Sequence, residues 1–176
     1  LPSRLVEQHI HVAEYTSGVW FLSSPCVEHK FLTTCNVKSF GLKEYNNLPI
    51  APIHDLAGII WNYFPIQLDC DAPWSGRLNG CFFQLGEPDA NAEIYLCLDY
   101  ISAASVHMAT GQQVAAVFQV KNIPFVILEL KKLFAAKDII LAPDLDIEPD
   151  QLMQNELSQL AKKHGCQYVV PKLGNP

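Results

Sequence analysis

A chain of 176 residues with 49% hydrophobic and 17% charged side chains has ordinary globular composition and room for one packed domain with a small appendage. Its formal net charge of −6 argues against a large, tight nucleic-acid footprint, because Lys and Arg contacts to phosphate dominate such affinity, although a local basic groove stays possible. No apolar stretch nears the roughly 20 residues that span a bilayer, no secretory signal is visible, and six scattered cysteines form no C-x-x-C pair, so the expectation is a cytoplasmic protein with neither a zinc framework nor a disulfide scaffold.

Residues 3–15 place Leu5, Val6, Ile10 and Ala13 on one helical face, and Ser17-Gly18 reads as an interruption before a short apolar turn at Val19 to Leu22. His29-Lys-Phe-Leu32 reads as a second short helix, with His29 as a capping or surface residue. From Leu48 the pattern becomes short, aromatic and β-branched. Leu48 to Ile53, Gly58 to Phe64 and Cys81 to Leu85 are expected to form a small antiparallel meander, with Pro49 and Pro52 pushing the first strand to an edge.

Alternation of strand and helix begins after the turn-rich Gly86 to Asn91. Ile94 to Leu98 has the length of a buried strand. Ile101 to Thr110 is a helix rich in Ala and Ser, ended by Gly111. Val114 to Phe118 is the next strand. Asn122 is a plausible cap for a helix carrying Ile123, Val126, Ile127, Leu130, Leu133 and Phe134 inward and Glu129, Lys131 and Lys132 outward. Ile139 to Ala142 is a strand. Pro149 opens a last helix with Leu152, Met153, Leu157, Leu160 and Ala161 inward, and Gln167 to Val170 is a final strand. The expected fold is α/β: residues 1–90 a small helical and antiparallel-β subdomain, residues 91–176 a Rossmann-like parallel sheet flanked by helices. The chain opens on Leu1 rather than Met and so reads as a piece of a longer protein.

Ligands of open parallel sheets gather beyond the carboxyl ends of the strands. Asp144 and Asp146 fall at such an end. Two residues apart in extended chain, they present both carboxylates on one side, roughly 6 to 7 Å apart along the strand. Glu148 continues the phase. A hard divalent cation, Mg²⁺ or Mn²⁺, takes one or two carboxylates and keeps water for the rest of its shell. An acidic turn capping the following helix accounts for the same spacing.

The ordered set of motifs resembles the Toprim domain of plasmid- and phage-type DNA primases. Tyr95-Leu-Cys-Leu-Asp-Tyr-Ile-Ser-Ala-Ala-Ser105, Ala109-Thr-Gly111, Asn122-Ile123 and Asp144-Leu-Asp146 carry it. Upstream, His29-Lys-Phe-Leu32, Val37, Gly41-Leu-Lys43, the Leu48 to Gly58 stretch and Gly80-Cys-Phe-Phe83 follow the family's order and near spacing. The resemblance implies metal-dependent nucleotidyl transfer, primer synthesis on a single-stranded DNA template, in replication or transfer of a plasmid, phage or other mobile element. It implies Mg²⁺ on Asp144 and Asp146, phosphate contacts from Arg77 and Lys121, and a helicase or other replication protein as a partner.

The departures bear on activity. An ungapped match sets Leu98 where the family has its acid/base glutamate, and Asp99 where it has glycine. Asp99 is the candidate catalytic residue if a bulge brings it into place. Cys35 replaces a lysine, Phe64 a glutamine, and only Arg77 remains of a basic stretch before Gly80. General acid/base groups contribute about 10² to 10⁴-fold, so their loss leaves little turnover. Three readings stand: an active primase-type nucleotidyltransferase; an inactive Toprim-fold module binding nucleic acid, nucleotide or a replication partner; and an acidic face for a basic protein. Stacking of bases on Trp61, Tyr63, Phe82 or Trp74 competes with core packing of those rings.

Overall fold

A computed structural model describes residues 3–67, 76–142 and 151–170. The chain divides into two compact units, Leu1–Phe83 and Gln84–Pro176.

The first unit is a long helix on a four-stranded antiparallel sheet of order β1-β2-β3-β4. Helix α1 spans Arg4–Leu22, β1 Ser24–Pro25, α2 Lys30–Thr34, β2 Lys43–Tyr45, β3 Leu48–His54 and β4 Ile60–Pro65. The break expected at Ser17-Gly18 does not occur. Gly18 has open space where a Cβ would stand, so it costs helix propensity and nothing else. The packing beneath carries the helix through it: Ala13, Thr16 and Val19 are buried, and Val19 packs with Ile50 and Tyr63, with Trp20 and Tyr45 against them. Leu5, Val6 and Ile10, expected on the buried face, are exposed instead. His29 does cap α2, its Nδ1 accepting from the Phe31 amide at 3.2 Å.

Strand β3 is not an edge. It lies between β2 and β4 despite Pro49 and Pro52. The alternation of an antiparallel ladder explains why. The Pro49 carbonyl accepts from Ile66, so Pro49 faces β4, opposite a residue beyond that strand's last position, Pro65. Three residues along, Pro52 faces the β2 side, where continuing the Lys43↔Ile50 register sets it opposite residue 41, beyond the end of β2. Neither missing N–H falls on an existing ladder bond. On the same phase, Pro65 points its nitrogen to the open side of β4.

The second unit is built on a five-stranded sheet of order β5-β7-β6-β8-β9. Its strands are β5 Phe83–Leu85, β6 Ile94–Cys97, β7 Gln113–Ala116, β8 Ile139–Leu141 and β9 Gln167–Tyr168. The stretch from Cys81 to Leu85 is therefore not the third strand of the meander; an isolated bridge, His54 to Phe82, ties it to β3. Strand β6 pairs in parallel with β7 and β8, and β8 with β9. Helix α3 (Tyr100–Thr110) packs on β6 and β7; its small Ala103 and Ala104, both fully buried, permit that close seat. Gly111 closes it with φ 70°. Helix α4 (Ile123–Leu130) and helix α5 (Gln151–His164) complete the layers. Ile123, Val126, Ile127 and Leu130 are buried as the period predicts; at about 1.5 to 3 kcal/mol each they anchor α4 strongly. The helix ends before Leu133, which is exposed, and Lys131 turns its Nζ to the His164 carbonyl at the end of α5 rather than to water. Met153 is also exposed, while Leu157 and Ala161 hold α5 down.

Two glycines separate these effects. Gly18→Ala should raise stability by about 0.5 to 1 kcal/mol, since it adds propensity without a clash. Gly76→Ala should lower it by about 1 to 3 kcal/mol, because its Cβ would stand 2.7 Å from Val12 Cγ1 and 2.9 Å from the Trp61 carbonyl oxygen. Urea denaturation of both variants against wild type measures the difference.

Candidate functional site

The chain leaves β6 to one side for β7 and then crosses back to β8 on the other. The sheet's switch point therefore lies between β6 and β8, at their carboxyl ends. Both ladders run to the very end of β6: the Val117 amide donates to the Cys97 carbonyl and the Ala142 amide to the Leu96 carbonyl, each at 2.9 Å.

Leu98 and Asp99 follow β6 and are half-buried. Asp99 is the N-cap of α3. Its Oδ1 accepts from the Ser102 amide at 2.9 Å and its Oδ2 from the Ser102 hydroxyl at 2.7 Å. Both oxygens of the candidate catalytic carboxylate are thus engaged within its own helix turn. Asp144 and Asp146, the expected metal ligands, lie outside the described residues. Among the described residues no group of three His, Cys, Asp or Glu side chains comes together to hold a metal ion.

The exit of β7 carries features that spacing did not reveal. Phe118 has φ 59°, a left-handed backbone rare for a bulky side chain. The Gln119 amide donates back to the Val117 carbonyl at 2.8 Å across it. Asn122 stands at the N-cap position of α4, as expected, but its side chain does not cap the helix. It is buried, makes no capping hydrogen bond, and donates from Nδ2 to the same Val117 carbonyl at 3.2 Å. Its position is fixed by that anchoring of the strand exit, and Pro124 sits in the first turn of α4. A glutamine after a strand, such as Gln119, carries no signal in the sequence. Lys121 is exposed in the short 3-10 turn Val120–Asn122.

Arg77 belongs to the first unit. Its guanidinium lies 4.8 Å from the Trp61 ring centre and its Nη1 is 3.4 Å from Asp55 Oδ2. The same Oδ2 accepts from the Trp61 indole N–H at 2.8 Å, and Oδ1 from the amides of Ala57 and Ile59. Burial pushes the Asp55 carboxyl up, but the Trp61 N–H, the two amides and the Arg77 charge outweigh it and hold the group below its usual range. Trp61 is thus covered by Arg77, Tyr63 and Phe82 are core residues, and Trp74 lies outside the described residues. Cys81 and Cys97 are fully buried, as their apolar runs suggest. Among the described residues no helix is long and apolar enough to cross a membrane.

No family model and no curated protein matches the chain. Solved structures do. A chain of the bacteriophage T7 lagging-strand DNA polymerase structure, in which the polymerase interacts with primase domains of two gp4 subunits bound to an RNA/DNA hybrid and dTTP, matches at 15% identity and TM-score 0.54, over 84% of this chain and 81% of that one. The primase fragment of the bacteriophage T7 primase-helicase protein matches at 16% identity and TM-score 0.54 over 83% of this chain. The aligned region spans 66% of that fragment, just under two thirds of its length. Identities this low establish the fold: the chain has a primase-like α/β architecture.

Loss of the Asp99 cap in Asp99→Ala should cost about 0.5 to 2 kcal/mol of stability, and Asp99→Ser less, in denaturant titrations. Asp55 gives a pH prediction. Its folded pKa is depressed, so the stability it adds is complete above its unfolded value of about 3.9 and is lost as pH falls through the folded one. Asp55→Asn should flatten the acid limb of the stability profile below about pH 4 and leave its shape at neutral pH unchanged, as measured by melting temperature against pH.

Proposed function

We propose that this chain is a primase-related, Toprim-like module of DNA replication, in a plasmid, phage or other mobile element, that binds nucleotide and single-stranded DNA and has lost most or all turnover. The observation that carries it is the exit of β6: Leu98 stands at the position of the family's proton-transferring glutamate, and the adjacent Asp99 spends both oxygens on Ser102. An aliphatic side chain moves no proton. The primase-like fold and the complex of its T7 neighbour with an RNA/DNA hybrid and dTTP support nucleic acid and nucleotide as ligands. In this reading Asp144 and Asp146 hold a Mg²⁺ ion, which on binding neutralises phosphate charge. Arg77 and Lys121 supply weak phosphate contacts. A helicase or other replication protein is the expected macromolecular partner.

A second reading, active primer synthesis with Asp99 as the acid/base group, is favoured by its place beside the switch point of the sheet. Primer synthesis on single-stranded template with Mg²⁺ and ribonucleotides separates the two. The proposal expects no template-dependent product above background, together with Mg²⁺ binding in calorimetry that Asp144→Asn abolishes. Robust synthesis that disappears in Asp99→Asn would establish the second reading in its place.

A further inference from the structure

The turn that leaves β7 joins two unusual features. The first is strain. The Gln119 amide closes a three-residue turn onto Val117 across Phe118 at φ 59°. A hydrogen-bonded three-residue turn with positive φ is the rarer, strained kind, and for phenylalanine it persists only where the surroundings over-determine it. They do: the Val117 carbonyl is clamped by the Gln119 amide and again by the buried Asn122 side chain. The second feature is an unmet acceptor. Oε1 of Gln119 is buried and has no hydrogen-bond partner among the described residues, although the side chain as a whole is partly open to solvent. A buried acceptor without a donor opposes folding, and a turn of the half-open Gln119 side chain would present it to a donor on a ligand.

The chemistry of that ligand follows from the atom. An amide oxygen carries partial negative charge, so it repels phosphate oxygens and accepts from O–H or N–H. On a nucleotide those donors are the sugar hydroxyls and the base N–H groups. We propose that Gln119, held in place by the strained turn at Phe118, reads the uncharged part of a nucleotide at the carboxyl end of the parallel sheet. This rests on the nucleotide-binding reading above, and it adds the residue and the part of the ligand recognised.

The test titrates the full chain, in Mg²⁺, with ATP, GTP, CTP and UTP in turn and with inorganic triphosphate, for wild type, Gln119→Leu and Gln119→Glu. Gln119→Leu should bind its preferred nucleotide about tenfold more weakly, the scale of one lost hydrogen bond. It should bind triphosphate as wild type does, and melt at a higher temperature because the unmet acceptor is gone. Gln119→Glu keeps an acceptor but adds a negative charge, so whatever affinity it loses should be lost equally for nucleotide and for triphosphate. With wild type, an affinity that falls about tenfold for the 2′- or 3′-deoxy analogue assigns the donor to the sugar, and an unchanged affinity assigns it to the base; both support the inference. Equal nucleotide binding by wild type and Gln119→Leu overturns it while leaving the functional reading intact. So does a lower melting temperature for Gln119→Leu, which would mean that Oε1 has a partner in the fold. Absence of nucleotide binding by wild type overturns both.

Discussion

Strand β6 is paired with β7 along its whole length and with β8 from Ile94 to Leu96, and that double ladder is the constraint on which the second unit depends. Ile94, Leu96 and Cys97 are fully buried, so the strand cannot slide in register without moving apolar side chains out of the core. Because the chain goes from β6 to β7 and returns to β8 on the other flank, the carboxyl end of β6 becomes the point where the connections diverge. Everything of chemical interest in this unit follows one of those strand ends: Leu98 and Asp99 after β6, Phe118 to Asn122 after β7, and the acidic segment after β8.

Polar groups at these positions are largely spent on holding the backbone. Asp99 caps α3, Asn122 holds the exit of β7, and in the first unit Asp55 gathers two amides, an indole N–H and Arg77. Each is satisfied in a way that stabilises a turn. A cap is worth about 1 kcal/mol, whereas a freely placed acid/base group contributes orders of magnitude in rate. In the proposed reading the chain keeps the first and lacks the second. Gln119 differs from these in that its buried oxygen meets no donor within the described fold, a state shared by the hydroxyls of Ser39 and Tyr168.

Periodicity made much of the architecture legible. The apolar run at Ile94, the Ala- and Ser-rich helix with Gly111 behind it, and the 3.6-residue period from Ile123 to Leu130 specify strand, close-packed helix and helix, and the primase-like neighbours bear out the fold they imply. What stayed hidden depended on phase and tertiary context. Pro49 and Pro52 suggested an edge, but which side of a strand a missing N–H faces is set by ladder register, and here it falls beyond both neighbours. Ser17-Gly18 suggested a break, but the packing of Val19 on Ile50 and Tyr63 carried α1 through it. Asn122 had the right residue type for a cap and serves a carbonyl behind it instead. The positive φ at Phe118 had no compositional signal, since that conformation is ordinarily the province of glycine and asparagine. The metal-binding expectation for Asp144 and Asp146 rests on sequence alone.

Whether a proton-transferring group acts at the end of β6, where Leu98 precedes the Asp99 cap, decides between the two functional readings. The most direct measurement is template-dependent ribonucleotide incorporation by the double variant Leu98→Glu, Asp99→Gly compared with wild type; glycine is a tolerable N-cap, so the fold should survive the exchange. The account predicts that the variant gains Mg²⁺-dependent incorporation of about 10²-fold or more over wild type, the scale of one acid/base group. Wild type that already incorporates nucleotides efficiently, with the double variant no faster, would contradict it.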